Sequence, residues 1–225
     1  DPRITKLGNK FYIFYTALSS FPFSAQGIKI AVAVTSDFKK IEKHPVTTFN
    51  SKAMALFPEK INGKIAALLT VDPDNKPPKI CIAYFDHEAD IWSTDYWNKW
   101  YASVDSHVIA LPRGPNDHLE VGTPPIKTKH GWLIFYSFVK NYLAPPATFG
   151  VNAALLHLED PLQVEAAMRE PILVPETEYE RQGETSNIVF PSGAFIRSGT
   201  LYLYYGAAES VARALGAVGA TFDEF

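Results

Sequence analysis

The side chains able to do chemistry in this sequence gather where proline marks a short strand. Asp1 and Arg3 stand in Asp1-Pro2-Arg3-Ile4, Glu59 and Lys60 in Phe57-Pro58-Glu59-Lys60, Lys127 in Thr123-Pro124-Pro125-Ile126-Lys127, and a ring opens Phe190-Pro191-Ser192-Gly193. Brought to one place, carboxylates, cations and flat apolar rings suit a sugar-binding cleft, where rings stack and charged groups grip hydroxyls. His118 and Glu120, in Asp117-His118-Leu119-Glu120-Val121, fall on one face of a strand by alternation. One histidine and one carboxylate make a poor ligand set, so no metal is expected there. Asp105-Ser106-His107 names the members of a hydrolase triad, but adjacent residues point apart, and a structural role is expected.

The 225 residues are 47% apolar and 20% charged, with a net charge of −3. That composition supports a packed core and excludes a disordered chain. No block of Lys/Arg occurs, which excludes the electrostatic footprint of a nucleic-acid or anionic-membrane partner. The single cysteine, Cys81, sits in the apolar run Ile80-Cys81-Ile82 and reads as a buried strand residue; it allows no intrachain disulfide and no cysteine-based zinc site. No apolar run reaches the roughly 18–20 residues of a membrane span. The first residues lack the basic-then-apolar order of a signal peptide. The cytoplasm is the expected location, left open by the abrupt start of the chain.

The elements that must position these residues repeat. A glycine followed by an alternating aromatic and aliphatic strand recurs at Gly8, Gly63, Gly131 and Gly199, at spacings of 55, 68 and 68 residues. Each glycine follows one of the proline strands, and each glycine strand leads to a third run ending in an acidic turn near Asp37, Asp86, Asp160 or Asp223. Repetition in register at such a period identifies a radial or stacked architecture, which a β-sandwich would not show. The sequence therefore predicts an all-β chain, a β-propeller with units near 1–50, 51–105, 106–175 and 176–225. The weak helix candidate is 163–169. The aromatic segment Asp90–Tyr101 is expected to be an outer strand whose tryptophans pack between blades; the other reading is an aromatic platform for a sugar.

In a propeller the innermost strands line a central opening. If the proline strand is innermost, then Asp1, Arg3, Glu59, Lys60, Lys127, Phe57 and Phe190 converge on one mouth, with pairing of Glu59 and Lys60 at the rim as the plainer reading.

These same segments carry a resemblance. Asp1-Pro2-Arg3-Ile4-Thr5, Leu56-Phe57-Pro58-Glu59-Lys60-Ile61-Asn62-Gly63-Lys64, Pro124-Pro125-Ile126-Lys127-Thr128 with Gly131-Trp132-Leu133, Glu170-Pro171-Ile172-Leu173, Phe190-Pro191-Ser192-Gly193 and Tyr205-Gly206-Ala207-Ala208 occur in the order seen in glycoside hydrolase family 130. The chain resembles that family of β-mannoside phosphorylases and β-1,2-mannosidases. The resemblance implies a five-bladed propeller of which about four blades are present here, the first being absent. It implies Asp1 as proton donor, acting through a hydroxyl of the bound mannose, with phosphate attacking the opposite face and inverting the anomeric centre. Lys127 matches a phosphate-binding lysine. Lys52-Ala53 stands where phosphorylases commonly show arginine and asparagine, Leu69-Thr70-Val71 where they show Leu-His-Arg, and Tyr136-Ser137-Phe138 where they show Tyr-His-Gly. Arginine grips phosphate with a fork that lysine lacks, so these departures weaken the cradle and leave Lys52 and Lys127 as its cations.

Arg3, Glu59, Glu120, Phe190 and Glu209 are the expected substrate contacts, Glu209 standing where an aspartate commonly meets the mannose. The expected activity is inverting cleavage of a β-mannoside oligosaccharide, by phosphorolysis to mannose 1-phosphate. No cofactor is expected beyond inorganic phosphate as co-substrate, and a homo-oligomer is left open. The alternatives are hydrolysis, whose water-activating base would come from Glu59, Glu120 or Glu209, and a non-catalytic glycan-binding propeller.

Overall fold

A computed structural model of the chain describes residues 2–74, 77–144 and 146–208, and the backbone of 211–216. Four antiparallel sheets hold nearly all the regular structure. The first runs in the order β1 (Arg3–Leu7), β2 (Lys10–Leu18), β3 (Ile28–Thr35) and β4 (Glu42–Pro45). The second is β5 (Ser51–Leu56), β6 (Ile65–Val71) and β7 (Lys79–Phe85). In the third, β8 (His118–Val121) and the short β9 (Ile126–Lys127) both pair with β10 (Trp132–Lys140), followed by β11 (Thr148–Leu156) and β12 (Val164–Ala167). The fourth is β13 (Val189–Arg197), β14 (Thr200–Ala207) and β15 (Val211–Gly216). No sheet closes on itself among the described residues.

Turn chemistry sets the hairpins. Asn62-Gly63 and Ser198-Gly199 each take two successive positive φ angles, 50° and 80° in one and 51° and 73° in the other. Two left-handed residues match the twist of the strands they join, which only a glycine-containing pair adopts cheaply.

The sheets stack face to face. Every residue of β6 is buried, because alternate side chains leave opposite faces of the strand. Ile65, Ala67, Leu69 and Val71 pack with Tyr12, Phe14, Val32 and Val34 of the first sheet. Ala66 and Leu68 pack the other way, with Trp132, Ile134 and Tyr136 of the third. The third sheet in turn meets the fourth through Phe135 and Val151 against Val189, Leu201, Leu203 and Tyr205. A strand apolar on both faces is what such a stack demands.

Two local expectations are corrected. Residues 88–102 form a 3-10 turn, Glu88–Trp92, and a helix α1, Thr94–Ala102, in place of an outer strand. The Ser93 side chain accepts from Tyr96 N–H at 3.3 Å and starts that helix. Trp97 and Trp100, three residues apart, share one helix face and bury it against the first two sheets. Within 163–169, Val164–Ala167 is strand β12, not helix, because the open edge of β11 offers it a hydrogen-bonded ladder, with Ala154 opposite Ala167. The shorter helix α2 is Glu178–Arg181.

Leu69 is fully buried between two sheets. Leu69→Ala is expected to cost about 2–5 kcal/mol, read as a lower urea midpoint at unchanged slope; a loss under about 1 kcal/mol would contradict the stacked core.

Candidate active site

The first strands of the sheets begin at one end of the stack, and there a cavity of about 360 Å³ opens. Lys52 reaches it from β5, His118 and Glu120 from β8, Ser137 from β10, and Phe190 from β13. Tyr142, in the β10–β11 connection, and Phe149 complete an aromatic wall. Lys52 is aimed by a bulge: the pairing of β5 with β6 shifts between Lys52 and Ala55, with Ala53 at φ 55°. Bulges re-aim side chains in this way at the ends of strands.

Glu120 is the centre of the polar cluster. It is 6% exposed, and its Oε1 accepts from Lys52 Nζ at 2.8 Å and His118 Nε2 at 2.6 Å. A carboxylate only accepts, so His118 carries its proton on Nε2. Burial pushes the Glu120 carboxyl upward, but the hydrogen bond from His118 and the charge of Lys52 outweigh it and hold the group below the ordinary glutamate value.

The site also contains unanswered polarity. His118 Nδ1, Glu120 Oε2 and Ser137 Oγ are buried without a hydrogen-bond partner, and all three residues line the one cavity. A buried acceptor without a donor is costly, so this clustering marks a place that a hydrogen-bonding ligand completes.

Arg3 lies beneath. It is 1% exposed, and its guanidinium donates from Nε to Gly122 O at 2.8 Å and from Nη2 to Val121 O at 3.1 Å. Its carbon Cζ stands 5.5 Å from the centre of the Phe190 ring. Burial brings its pKa down to about 10, with Glu120 opposing that shift. The guanidinium thus ties the start of β1 to the end of β8 and supports the ring of Phe190.

The structure divides the residues that the sequence placed together. Arg3, Lys52, Glu120 and Phe190 meet at this end. Glu59 and Lys127 do not: they pair with each other at 2.5 Å, and Lys127 lines a different opening of about 830 Å³ with Lys6, Pro58, Phe195 and Tyr204. The reason is separation along the chain. Glu59 is seven residues beyond Lys52, and Lys127 seven beyond Glu120, which is about 20 Å along an extended chain. Phe57 is fully buried, edge-on to Trp132 at 5.0 Å, and so faces the core, not a mouth. Lys60 is exposed and makes no rim pair with Glu59, whose partner is Lys127. Asp1 and Glu209 lie outside the described residues.

The Asp105-Ser106-His107 segment forms no triad. Asp105 binds Lys79 at 2.7 Å, Ser106 donates to Ser103 O, and His107 stacks on Trp100. Burial pushes the Cys81 thiol up to about 12, which leaves it unreactive. Among the described residues no group of three or more His, Cys, Asp or Glu could hold a metal ion. Among them, too, no helix is long and apolar enough to cross a membrane. Tyr142 was not foreseen, since it sits in a connection whose path the sequence pattern does not specify.

Comparison with known proteins identifies the family. The family model of glycoside hydrolase family 130, described as β-1,4-mannooligosaccharide phosphorylase, matches residues 1–218. The chain is 33% identical over 216 residues to a 1,2-β-oligomannan phosphorylase of Thermoanaerobacter sp., covering 94% of this chain and 65% of that protein. It is 32% identical to a β-1,2-mannobiose phosphorylase of Listeria innocua, covering 93% and 55%. The solved structure of the β-1,2-mannobiose phosphorylase from Listeria innocua, in complex with β-1,2-mannobiose, matches with a TM-score of 0.78 at 30% identity, covering 96% and 57%. The chain belongs to glycoside hydrolase family 130. It spans 65% and 55% of the lengths of the two curated relatives.

The lowered carboxyl of Glu120 has a consequence for stability. A depressed folded value contributes stability that is present above the unfolded value and lost as pH falls through the folded one. The stability difference between wild type and Glu120→Gln should therefore hold steady at pH 5–7 and shift against wild type below about pH 4.3, the ordinary glutamate value. Urea unfolding across pH measures it, and a difference independent of pH would contradict the ion cluster.

Proposed function

We propose that the four sheets are blades of a five-bladed propeller, in units near 1–50, 51–105, 106–175 and 176–225, and that the whole protein cleaves β-linked mannosides with inversion by phosphorolysis. The observation that carries this reading is the group of buried, unpartnered polar atoms of His118, Glu120 and Ser137, beside Lys52 and between the rings of Phe190 and Tyr142. A polyhydroxylated ring answers such atoms with its hydroxyls while its apolar face meets the aromatic side chains. The cavity volume of about 360 Å³ is that of a small-ligand site.

In this reading Asp1 supplies the proton to the departing glycosidic oxygen through a mannose hydroxyl. Phosphate attacks the anomeric carbon from the opposite face, giving mannose 1-phosphate and the shortened oligosaccharide. Lys52 is the cation placed to hold it, while Lys127, in the other opening, is left without a part at this cavity. Arg3 works from below by fixing the floor. The relatives named as phosphorylases of 1,2-β-oligomannan and β-1,2-mannobiose support the substrate class.

One observation favours a second reading, hydrolysis. Glu120 neutralises Lys52 and keeps a carboxylate oxygen bare. An inverting hydrolase needs such a base roughly 6.5–9.5 Å from its acid, to activate water.

Product analysis on the full-length protein separates the two. Incubated with β-1,2-mannobiose, it should give mannose 1-phosphate only when inorganic phosphate is present. Free mannose released equally with and without phosphate would overturn phosphorolysis in favour of Glu120-assisted hydrolysis. Asp1→Asn should lower turnover by about 10²–10⁴-fold, the usual contribution of a general acid, and an unaffected rate would remove Asp1 from that role.

A further inference from the structure

The structure assigns to His118 a positioning role: by donating to Glu120 Oε1 it fixes the carboxylate, so that Oε2 stays bare and aimed for the bound substrate. This deepens the β-mannoside reading of the site and rests on it.

The assignment stands on geometry. His118 and Glu120 are two residues apart on β8 and therefore project from the same face. Their side chains meet at 2.6 Å, with 3% of His118 and 6% of Glu120 exposed. The imidazole is held in turn: the Tyr142 ring packs against it, tilted by 46°, with centroids 4.6 Å apart.

Two donors share one oxygen of Glu120 and none takes the other. Lys52 alone would not orient the group, because an ammonium on a flexible stem is a point charge that either oxygen satisfies. A ring nitrogen in a fixed plane, at hydrogen-bond distance from Oε1, does orient it. Among the described residues, the other groups around Glu120 are cationic or uncharged: Lys52 approaches from β5 and Arg3 from β1, while β10, β13, the β10–β11 connection and the segment before β13 present Ser137, Phe190, Tyr142 and Thr185. His118 Nδ1, itself unpartnered, adds a second acceptor for a sugar hydroxyl or water.

The sign of the effect follows. Donation from Nε2 stabilises the ionised carboxylate, so removing it raises the pH at which Glu120 takes up a proton. A reaction that needs Glu120 ionised then loses its acid limb at higher pH.

The test uses the full-length protein, with His118→Leu to remove the donor and His118→Gln to retain an N–H donor. Steady-state rates with β-1,2-mannobiose and phosphate are measured across pH. The carboxyl of Glu120 is also titrated by carbon-13 NMR, assigned by its loss in Glu120→Gln. In His118→Leu, kcat should fall about tenfold or more with KM changed less than about threefold, and both the acid limb and the titration should move up by about one pH unit. His118→Gln should restore both toward wild type.

A lowered kcat with neither the acid limb nor the titration moved would show a merely structural histidine and overturn the assignment, as would an unchanged kcat. If the wild type cleaves no β-mannoside under either condition, the cleavage reading fails by itself. The titration then decides the placement of Glu120 by His118: an upward shift in His118→Leu upholds it, and no shift overturns it.

Discussion

A carboxylate taken out of water must be met by cations and donors, and the burial of Glu120 imposes that demand at the point where the sheets converge. Lys52 answers from the second sheet, His118 from Glu120's own strand, and the Arg3 guanidinium adds its field from the first. Arg3 is itself buried and is held by the carbonyls of Val121 and Gly122 under the ring of Phe190. These charges are mutually dependent. Removing one leaves another in a low-dielectric place without compensation, which costs far more than the pair contributes.

The apolar stack and the polar cluster do different work. Packing of the second sheet between its neighbours is driven by area removed from water and is not directional. It holds the sheets together without fixing where along each strand they align. Hydrogen bonds across the seams fix that alignment: Thr5 Oγ1 donates to Leu56 O, and Val121 N–H to Thr70 Oγ1. With these in place Lys52 and Glu120 stand opposite one another at one end, and Glu59 and Lys127 at the other, with the order of charges reversed. Two ion pairs whose members are seven residues apart along the chain thus lie at opposite ends of the stack.

Much of the strand pattern is legible in the sequence, because the glycine turns and alternating runs are local signals. The glycines 8, 63 and 199 do sit in left-handed turn positions, and the strands after them are the second strands of their sheets. The helix α1 was legible in principle: Ser93 is a capping residue, and Trp97 and Trp100 have helical spacing. An aromatic-rich stretch between strands nevertheless reads as another strand until its cap is weighed against its composition. The site was half legible. Alternation put His118 and Glu120 on one face, and their contact is observed. The expected convergence of Glu59 and Lys127 with Arg3 treated each proline segment as a point, when the segment and the strand before it together reach from one end of the stack to the other. Tyr142 and Ser137 reach the cavity through tertiary placement, which no spacing rule supplies.

The central claim is that a β-mannoside lies in the cavity between β5, β8 and β13, with its hydroxyls on the unpartnered atoms of Glu120, His118 and Ser137. A crystal structure of the full-length protein with bound β-1,2-mannobiose tests it most directly. The account predicts a mannose hydroxyl within about 3 Å of Glu120 Oε2, a normal hydrogen-bond distance, and a ring face against Phe190 or Tyr142. A disaccharide seated instead in the larger opening beside Lys127 and Phe195, with the Glu120 cavity empty of sugar, would contradict it.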